Sequence, residues 1–352
     1  MKPVSPPASL AGQAADALRA AIAEGTWTGK LPGEVELSRR LHVSRNTLRV
    51  ALAQLEREGV LSGGRGRQRE ILRKTQSAAP RRTADPRVVL LTPEPLHRQA
   101  FSAVLWMDAL RDHLQSAGCL LELQMPLAAW RRHPARVLEE IAARLAPAAW
   151  ILHHSTAGMQ RWFSARGLPC LIVGTRHPGV ALPSVDSDHR AVGRHAASRL
   201  VARGRRELAI LHAPTELAGD AETCAGFREG AGRAAVRDLF HNDTPSGVCA
   251  TLQRAFHQHP PDGLFVFHST HTLTTLGHLT LGGVRVPTEV SVISRDDDPV
   301  LAHAVPEPAR YVLPAEVFAR KTAHLVDDLR TNSATRAQPH WVMPEFLPGG
   351  TL

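Results

Sequence analysis

Six short apolar runs recur through the last three quarters of the chain: Val88–Leu91, Trp150–Leu152, Cys170–Val173, Leu208–Leu211, Leu264–Phe267 and Val290–Ile293. Longer amphipathic stretches separate them. A strand that is apolar at nearly every position has no face to give to water, so helices must cover it on both sides. That condition predicts an α/β fold with parallel sheets. The 352 residues, 43% of them hydrophobic, are enough for two or three such cores.

Charge divides the chain at a different place. Residues 1–85 hold 15 Lys/Arg against 8 Asp/Glu, whereas the rest of the chain is nearly balanced at 27 against 25. A cationic surplus confined to one end is the footprint of a polyanion partner, whose counterions are released on binding. Between the two regions runs Lys74 to Arg87, KTQSAAPRRTADPR, polar and proline-bearing with almost no apolar side chains. It reads as a linker over 75–86, joining a domain at 1–74 to one at 87–350.

Three helices are expected before the linker: Leu10 to Glu24, Glu34 to Leu41 and Arg45 to Glu58, the first and third closed by Gly25 and Gly59. Only His42-Val43-Ser44 separates the second from the third, and Ser44 stands where its hydroxyl caps the third helix. This is a helix-turn-helix spacing. At about 100° per residue, Leu48, Ala51, Leu52 and Leu55 share the inner face of the third helix, while Asn46, Arg49 and Val50 face outward with Arg45 alongside. Arginine and asparagine on an exposed helix edge are the groups that read guanine and adenine. The segment Val60 to Leu72 follows as two short strands around Gly63, Gly64 and Gly66. Arg65 and Arg67 lie in that turn, suited to phosphates or a minor groove.

These residues resemble the GntR family of bacterial regulators: Leu31-Pro32-Gly33-Glu34, Leu37-Ser38, Val43-Ser44-Arg45-Asn46-Thr47-Leu48-Arg49, Leu55-Glu56-Arg57-Glu58-Gly59-Val60-Leu61 and a G-x-G wing. The resemblance covers residues 10–72 and implies a winged helix in which Arg45, Thr47, Arg49 and the wing at Arg65-Gly66 touch DNA. Two departures stand out. Val35 occupies a position often held by Arg. Arg67-Gln68-Arg69-Glu70 replaces the usual end of the wing, so more purely electrostatic groove contacts are expected there.

In the larger region the motifs of common catalytic sites are absent. There is no G-x-S-x-G, no phosphate-binding G-x-x-x-x-G-K-[ST] and no G-x-G-x-x-G after a strand, and the only lysine beyond Lys74 is Lys321. Cys119, Cys170, Cys224 and Cys249 are widely spaced. The 19 histidines hold no H-E-x-x-H, the densest pairs being His153-His154 and His268/His271. No enzyme activity, cofactor or metal is expected. Nor does the chain hold an uncharged apolar run near the ~18–20 residues of a membrane span, or a signal core in Met1 to Ala15. A cytoplasmic protein without a membrane partner is expected.

Asp188 to Leu211, Pro261-Asp262-Gly263-Leu264-Phe265 and Arg285-Val286-Pro287-Thr288-Glu289-Val290-Ser291-Val292-Ile293-Ser294-Arg295-Asp296-Asp297 resemble the effector domains of LacI/GalR-type repressors. The last matches their V-P-x-D-[IV]-S-V-[IV]-G-[FY]-D-D segment. The resemblance implies a periplasmic-binding-protein-like body of two α/β lobes with a ligand between them. Ligands of open parallel sheets bind at the carboxyl ends of strands. Those ends supply Thr92, Glu94, His153 to Ser155, Asp188, Thr223, His268, Ser269 and Asp296. Thr223 stands where the family usually has Arg, and His268-Ser269 where it has Asn-Asp. The whole reads as a homodimeric, ligand-responsive repressor of a pseudo-palindromic operator, with a sugar or another small metabolite as effector. An architectural DNA-binding protein, or an enzyme with a basic extension, is the alternative.

Overall fold

The computed structural model describes residues 14–15, 18, 21–22, 27, 29–41, 43–57, 60–62, 69–71, 87–131, 133–331 and 337–352. The chain divides into two compact units, Met1–Arg81 and Arg82–Leu352. The expected linker at 75–86, and the wing turn with Arg65, Gly66 and Arg67, lie outside the described residues.

In the first unit, helices α1 (Glu34–Arg40) and α2 (Arg45–Arg57) pack with helical residues 14–15, 18 and 21–22 over one small core. Leu48, Ala51, Leu52 and Leu55 are fully buried in it, as their spacing requires. Each leucine so buried contributes about 1.5–3 kcal/mol. Strands β1 (Leu61–Ser62) and β2 (Glu70–Ile71) pair antiparallel. Residues 29–31 pair with the other edge of β2, with Leu31 N–H donating to the Arg69 carbonyl (2.9 Å) and Ile71 N–H to that of Gly29 (2.8 Å).

The second unit holds two lobes, each a six-stranded sheet. In the first lobe the order is β4 (Leu120–Gln124), β3 (Arg87–Leu91), β5 (Ala149–His153), β6 (Cys170–Val173), β7 (Ser184–Ser187) and β13 (Pro339–Val342), all parallel. In the second it is β9 (Ala235–Phe240), β8 (Glu207–His212), β10 (Gly263–Val266), β11 (Ser291–Ser294), β12 (Ala309–Val312) and β14 (Glu345–Leu347). Only β14 runs antiparallel to its neighbour. Both sheets are covered on two faces, so alternate residues of one strand enter different cores. Val88 and Leu90 pack with Trp106 and Phe318, whereas Val89 and Leu91 pack with Leu138 and Phe163.

The helices on these sheets follow from capping and amphipathic spacing: α3 (Phe101–Ser116), α4 (Ala135–Leu145), α5 (Ala157–Arg166), α6 (His189–Ala202), α7 (Ala218–Ala231), α8 (Pro245–Gln258), α9 (Ser269–Leu281) and α10 (Ala315–Thr331). Thr156 and Thr244 cap α5 and α8 through their hydroxyls. The chain passes between lobes three times, after β7, after β12 and between β13 and β14, and α10 returns to pack on the first lobe. In each lobe the strand order reverses beside the first strand, between β3 and β5 and between β8 and β10, the switch point at which α/β sheets open a crevice.

Helices α6 and α7 approach closely because three glycines remove side chains between them. A Cβ at Gly193 would collide with the carbonyl of Thr223, one at Gly226 with that of Arg190, and one at Gly230 with that of Arg194. Neither backbone can yield without prying the helices apart. Gly226→Ala is therefore expected to lower stability by about 1–3 kcal/mol, the usual cost of overpacking. Gly277→Ala in α9, where a Cβ meets nothing within 4 Å, is expected to gain up to ~1 kcal/mol from helix propensity. Urea unfolding of the two variants beside the parent chain checks both signs.

Candidate functional site

Two sites emerge, one in each unit. In the first, Ser44 caps α2: its hydroxyl accepts from Thr47 N–H at 3.1 Å and shares a 2.8 Å hydrogen bond with the Thr47 hydroxyl. The cap thus engages Thr47, which is half-buried, and leaves Arg45, Asn46, Arg49 and Val50 as the exposed edge. Arg49 Nε donates to Glu34 at 2.9 Å, and this pair holds the Glu34 carboxyl below its usual range. Its arginine side chain is 55% exposed, and pairs of that kind are worth about 0–1 kcal/mol. Arg49 can therefore leave at little cost.

Arg69 behaves differently from its expected role. It donates to Glu34 at 3.1 Å and to Glu56 at 2.6 Å, and only 14% of its side chain is exposed. It ties β2 to both helices and is not free to reach a groove. Val35 is exposed at the start of α1 and offers no charge there.

In the second unit a cavity of about 720 Å³ lies between the lobes. Glu94, His153, Ser155, His268, Ser269 and Asp296 line it. Thr92, Asp188 and Thr223 stand behind its wall, and each has a local reason. The Thr92 hydroxyl is buried, accepting from Gln99 Nε2 (2.7 Å) and lying 3.4 Å from His153 Nδ1. Asp188 caps α6 through Ala191 N–H (2.9 Å). Thr223 donates to the Gly219 carbonyl (2.9 Å) on the α7 face pressed against Gly193.

Chain pattern alone missed Arg295 and Asp220, which also line the cavity. Arg295, with 9% of its side chain exposed, donates through Nε to Asp296 (3.0 Å) and through Nη1 to Asp220, while its guanidinium lies 4.1 Å over the Phe267 ring. Burial alone would raise the Asp296 and Asp220 carboxyls, but Arg295 holds both below their usual range, helped at Asp296 by His268 Nδ1 (3.0 Å). Arg295 occupies the aromatic position of the V-[IV]-G-[FY]-D-D-like segment, a signal that could have found it. The guanidinium in the lining thus comes from Arg295, just after β11, and not from position 223, which lies within α7. Across the cleft, Asp186 accepts from Thr175 (2.5 Å) and lies 3.2 Å from His189 Nε2. Burial pulls the His189 pKa down, and Asp186 overrides it and raises it.

His153 and His154 stack at 3.9 Å. His154 adopts a left-handed backbone (φ 50°), unusual for a residue with a side chain, which lays its ring on its neighbour. Burial, and then the adjacent His154, hold His153 well below its ordinary value, so its imidazole stays neutral. Trp106 meets it edge-on at 5.3 Å. The lining combines carboxylate acceptors, a guanidinium already shared between two of them, neutral imidazoles and aromatic faces. Such a set suits a ligand rich in hydroxyls, which can donate and accept at once.

Comparison with known proteins agrees with this division. Residues 10–68 match the model of bacterial regulatory proteins, gntR family, and residues 197–352 that of a periplasmic binding protein-like domain. The chain carries a gntR-family domain and a periplasmic-binding-protein-like domain. Over 194 residues, 52% of the chain, it is 28% identical to the HTH-type transcriptional regulator CelR of Thermobifida fusca, covering 56% of that protein. Over 179 residues, 48% of the chain, it is 28% identical to the HTH-type transcriptional regulator GntR of Pseudomonas aeruginosa, covering 51%. The chain thus spans about half the length of these curated relatives. A solved transcriptional regulator CelR–cellobiose complex superposes with a TM-score of 0.67 at 19% identity, covering 91% of this chain and all of that one. The periplasmic-binding-protein-like domain of this chain thus shares its fold.

Two outcomes follow. Arg295→Ala leaves Asp220 and Asp296 buried without a counter-charge and is expected to cost about 3–5 kcal/mol. Arg295→Lys restores only part, because a point charge does not bridge two carboxylates as a planar fork does. Chemical denaturation measures both. For His153, the unfolded chain takes up a proton near pH 6.5 that the folded chain does not. Its contribution is therefore complete above pH 6.5 and falls as the pH drops, by about 1.4 kcal/mol per pH unit. Thermal melts between pH 5 and 8 should show a shallower acid slope in His153→Asn.

Proposed function

We propose that this chain is a ligand-responsive, sequence-specific DNA-binding transcription regulator acting as a repressor in the cytoplasm, without catalytic activity. The observation that carries the reading is the edge of α2. Its leucines are fully buried, while Arg45, Asn46 and Arg49 stand exposed on a helix whose domain matches the gntR family. Asn46 is suited to adenine and the arginines to guanine or phosphate. Ser44 and Thr47 set the start of the helix against the backbone, and the wing residues Arg65, Gly66 and Arg67 supply further phosphate or minor-groove contacts. A homodimer would place two such helices on a pseudo-palindromic operator, the symmetry of the protein being mirrored in the site.

The effector is a sugar or a comparably hydroxylated metabolite, held by Glu94, His153, His268, Ser269, Asp296 and, additionally, Asp220, Arg295 and His189. The relative CelR, solved with cellobiose, supports this choice. Closure of the lobes on the ligand would change the affinity for DNA by no more than the ligand's differential affinity for the two forms.

The test begins with selection of duplexes from a random pool by the full chain, followed by titration at two salt concentrations. Arg45→Ala and Arg49→Ala are expected to cost about 1–3 kcal/mol for the selected site, and Arg65→Ala to lower the salt slope by about one. A thermal-shift screen of mono- and disaccharides should then find a ligand; at a hundred times its Kd it would add about 2.7 kcal/mol of stability. Equal affinity for selected and random DNA, or arginine variants that bind like the parent, would overturn the reading.

A further inference from the structure

At one rim of the second lobe, three side chains that the proposed effector contacts do not use converge, with His271 packed edge-on against His268 at 5.4 Å. His241 follows β9, Asp243 comes two residues later on a left-handed turn (φ 62°), and His271 lies in the first turn of α9. Both histidines are buried, at 5% and 6% exposure, with their rings 4.4 Å apart and nearly perpendicular. His271 Nε2 lies 3.3 Å from Asp243 Oδ1, and the Asp243 N–H donates to His241 Nδ1 at 3.1 Å. Nε2 of His241 and Nδ1 of His271 are buried with no hydrogen-bond partner. Leaving a buried polar atom unsatisfied costs about 1–3 kcal/mol, and two of them in contacting rings are a poor way to fill a core that leucine would fill better.

We propose that His241, Asp243 and His271 form a binding site for a divalent transition-metal ion of the zinc class. One ligand atom from each lies within 4.8 Å of the others, so the set needs to close by about an ångström to reach the bond lengths of ~2.0–2.2 Å that zinc makes with imidazole and carboxylate. Two nitrogens and one oxygen select Zn²⁺, Co²⁺ or Ni²⁺ over Mg²⁺ and Ca²⁺, which take oxygen. Nε2 of His241 and Nδ1 of His271 form no hydrogen bond in the structure, and the lone pair of a neutral imidazole nitrogen is the group that such an ion takes. Asp243 and His271 also line the interlobe cavity. The remaining coordination position opens toward it, available to water or to an oxygen of a bound small molecule.

The site stands independently of DNA binding, and so does its test. The full chain, stripped with a chelator and dialysed, is titrated with Co²⁺ while its visible absorption is followed. One equivalent of Co²⁺ per chain is expected to develop ligand-field bands, to be displaced by Zn²⁺ and to be untouched by excess Mg²⁺ or Ca²⁺. His271→Ala and Asp243→Asn should each weaken the ion at least tenfold, whereas His324→Ala, on the exposed surface of α10, should not. Asp243 is 69% exposed, so its variant is expected to fold. Its thermal melt should match that of the stripped parent yet fail to rise with Zn²⁺ as the parent's does. Absence of a stoichiometric ion, or equal affinity in the parent and both variants, would overturn the assignment and leave the two histidines as packing residues.

Discussion

A strand apolar on both faces must be roofed twice, and the architecture of the larger unit follows from that demand. Helices on each side of a parallel sheet require crossover connections, and crossovers of one hand bring all strand ends with the same polarity to the same edge. Each lobe therefore collects its loop residues along one rim, and the reversal of strand order beside β3 and β8 opens a crevice there. Three passages of chain join the two rims across one cavity. Chemistry accumulates at the strand ends because those backbone positions alone are free of the cores on either face.

Within that cavity, charge is organised by mutual dependence. Arg295 is too buried to be stable as a lone cation, and Asp220 and Asp296 are too buried to ionise alone. Together the three remain charged in a place that would otherwise neutralise them. The result is a rigid pattern of acceptors and donors whose orientation is set before any ligand arrives. Preorganisation of this kind lowers the ordering cost of binding. It also accounts for the placement of Phe267, whose ring face takes the guanidinium that the carboxylates leave uncovered.

The smaller unit solves the opposite problem, keeping polar groups outside on a very small core. Its buried leucines hold α2 against the other helices, and Arg69 links β2 to Glu34 and Glu56 where few apolar side chains are available. Glu34 serves two arginines with different duties. Arg69 is a strut with little exposure, while Arg49 is lightly held on the surface. The distinction rests on burial, which residue type does not reveal.

Periodicity and local chemistry were legible in the chain: the buried stripe of α2, the Ser44 cap, six of the strands and the α/β class, while the division into two lobes came from the family resemblance. Those features depend on neighbours a few residues apart. The edge strands β4 and β9 went unread because half-buried strands such as Leu120–Gln124 and Ala235–Phe240 carry mixed side chains without a continuous apolar run. Thr92 and Asp188 do stand at a strand end and a helix start, yet the Gln99 hydrogen bond and the helix cap hold them off the cavity, while Thr223 lies inside α7 on its packed face and at no strand end. The pairing of Arg295 with Asp220, and of His271 with His241 and Asp243, belonged to tertiary structure alone. Sequence sets which residues end each strand, but only the sheet order and the crossing of the chain between lobes decide which of those ends meet, because distances of a few ångströms across a cleft are fixed by packing and not by spacing along the chain.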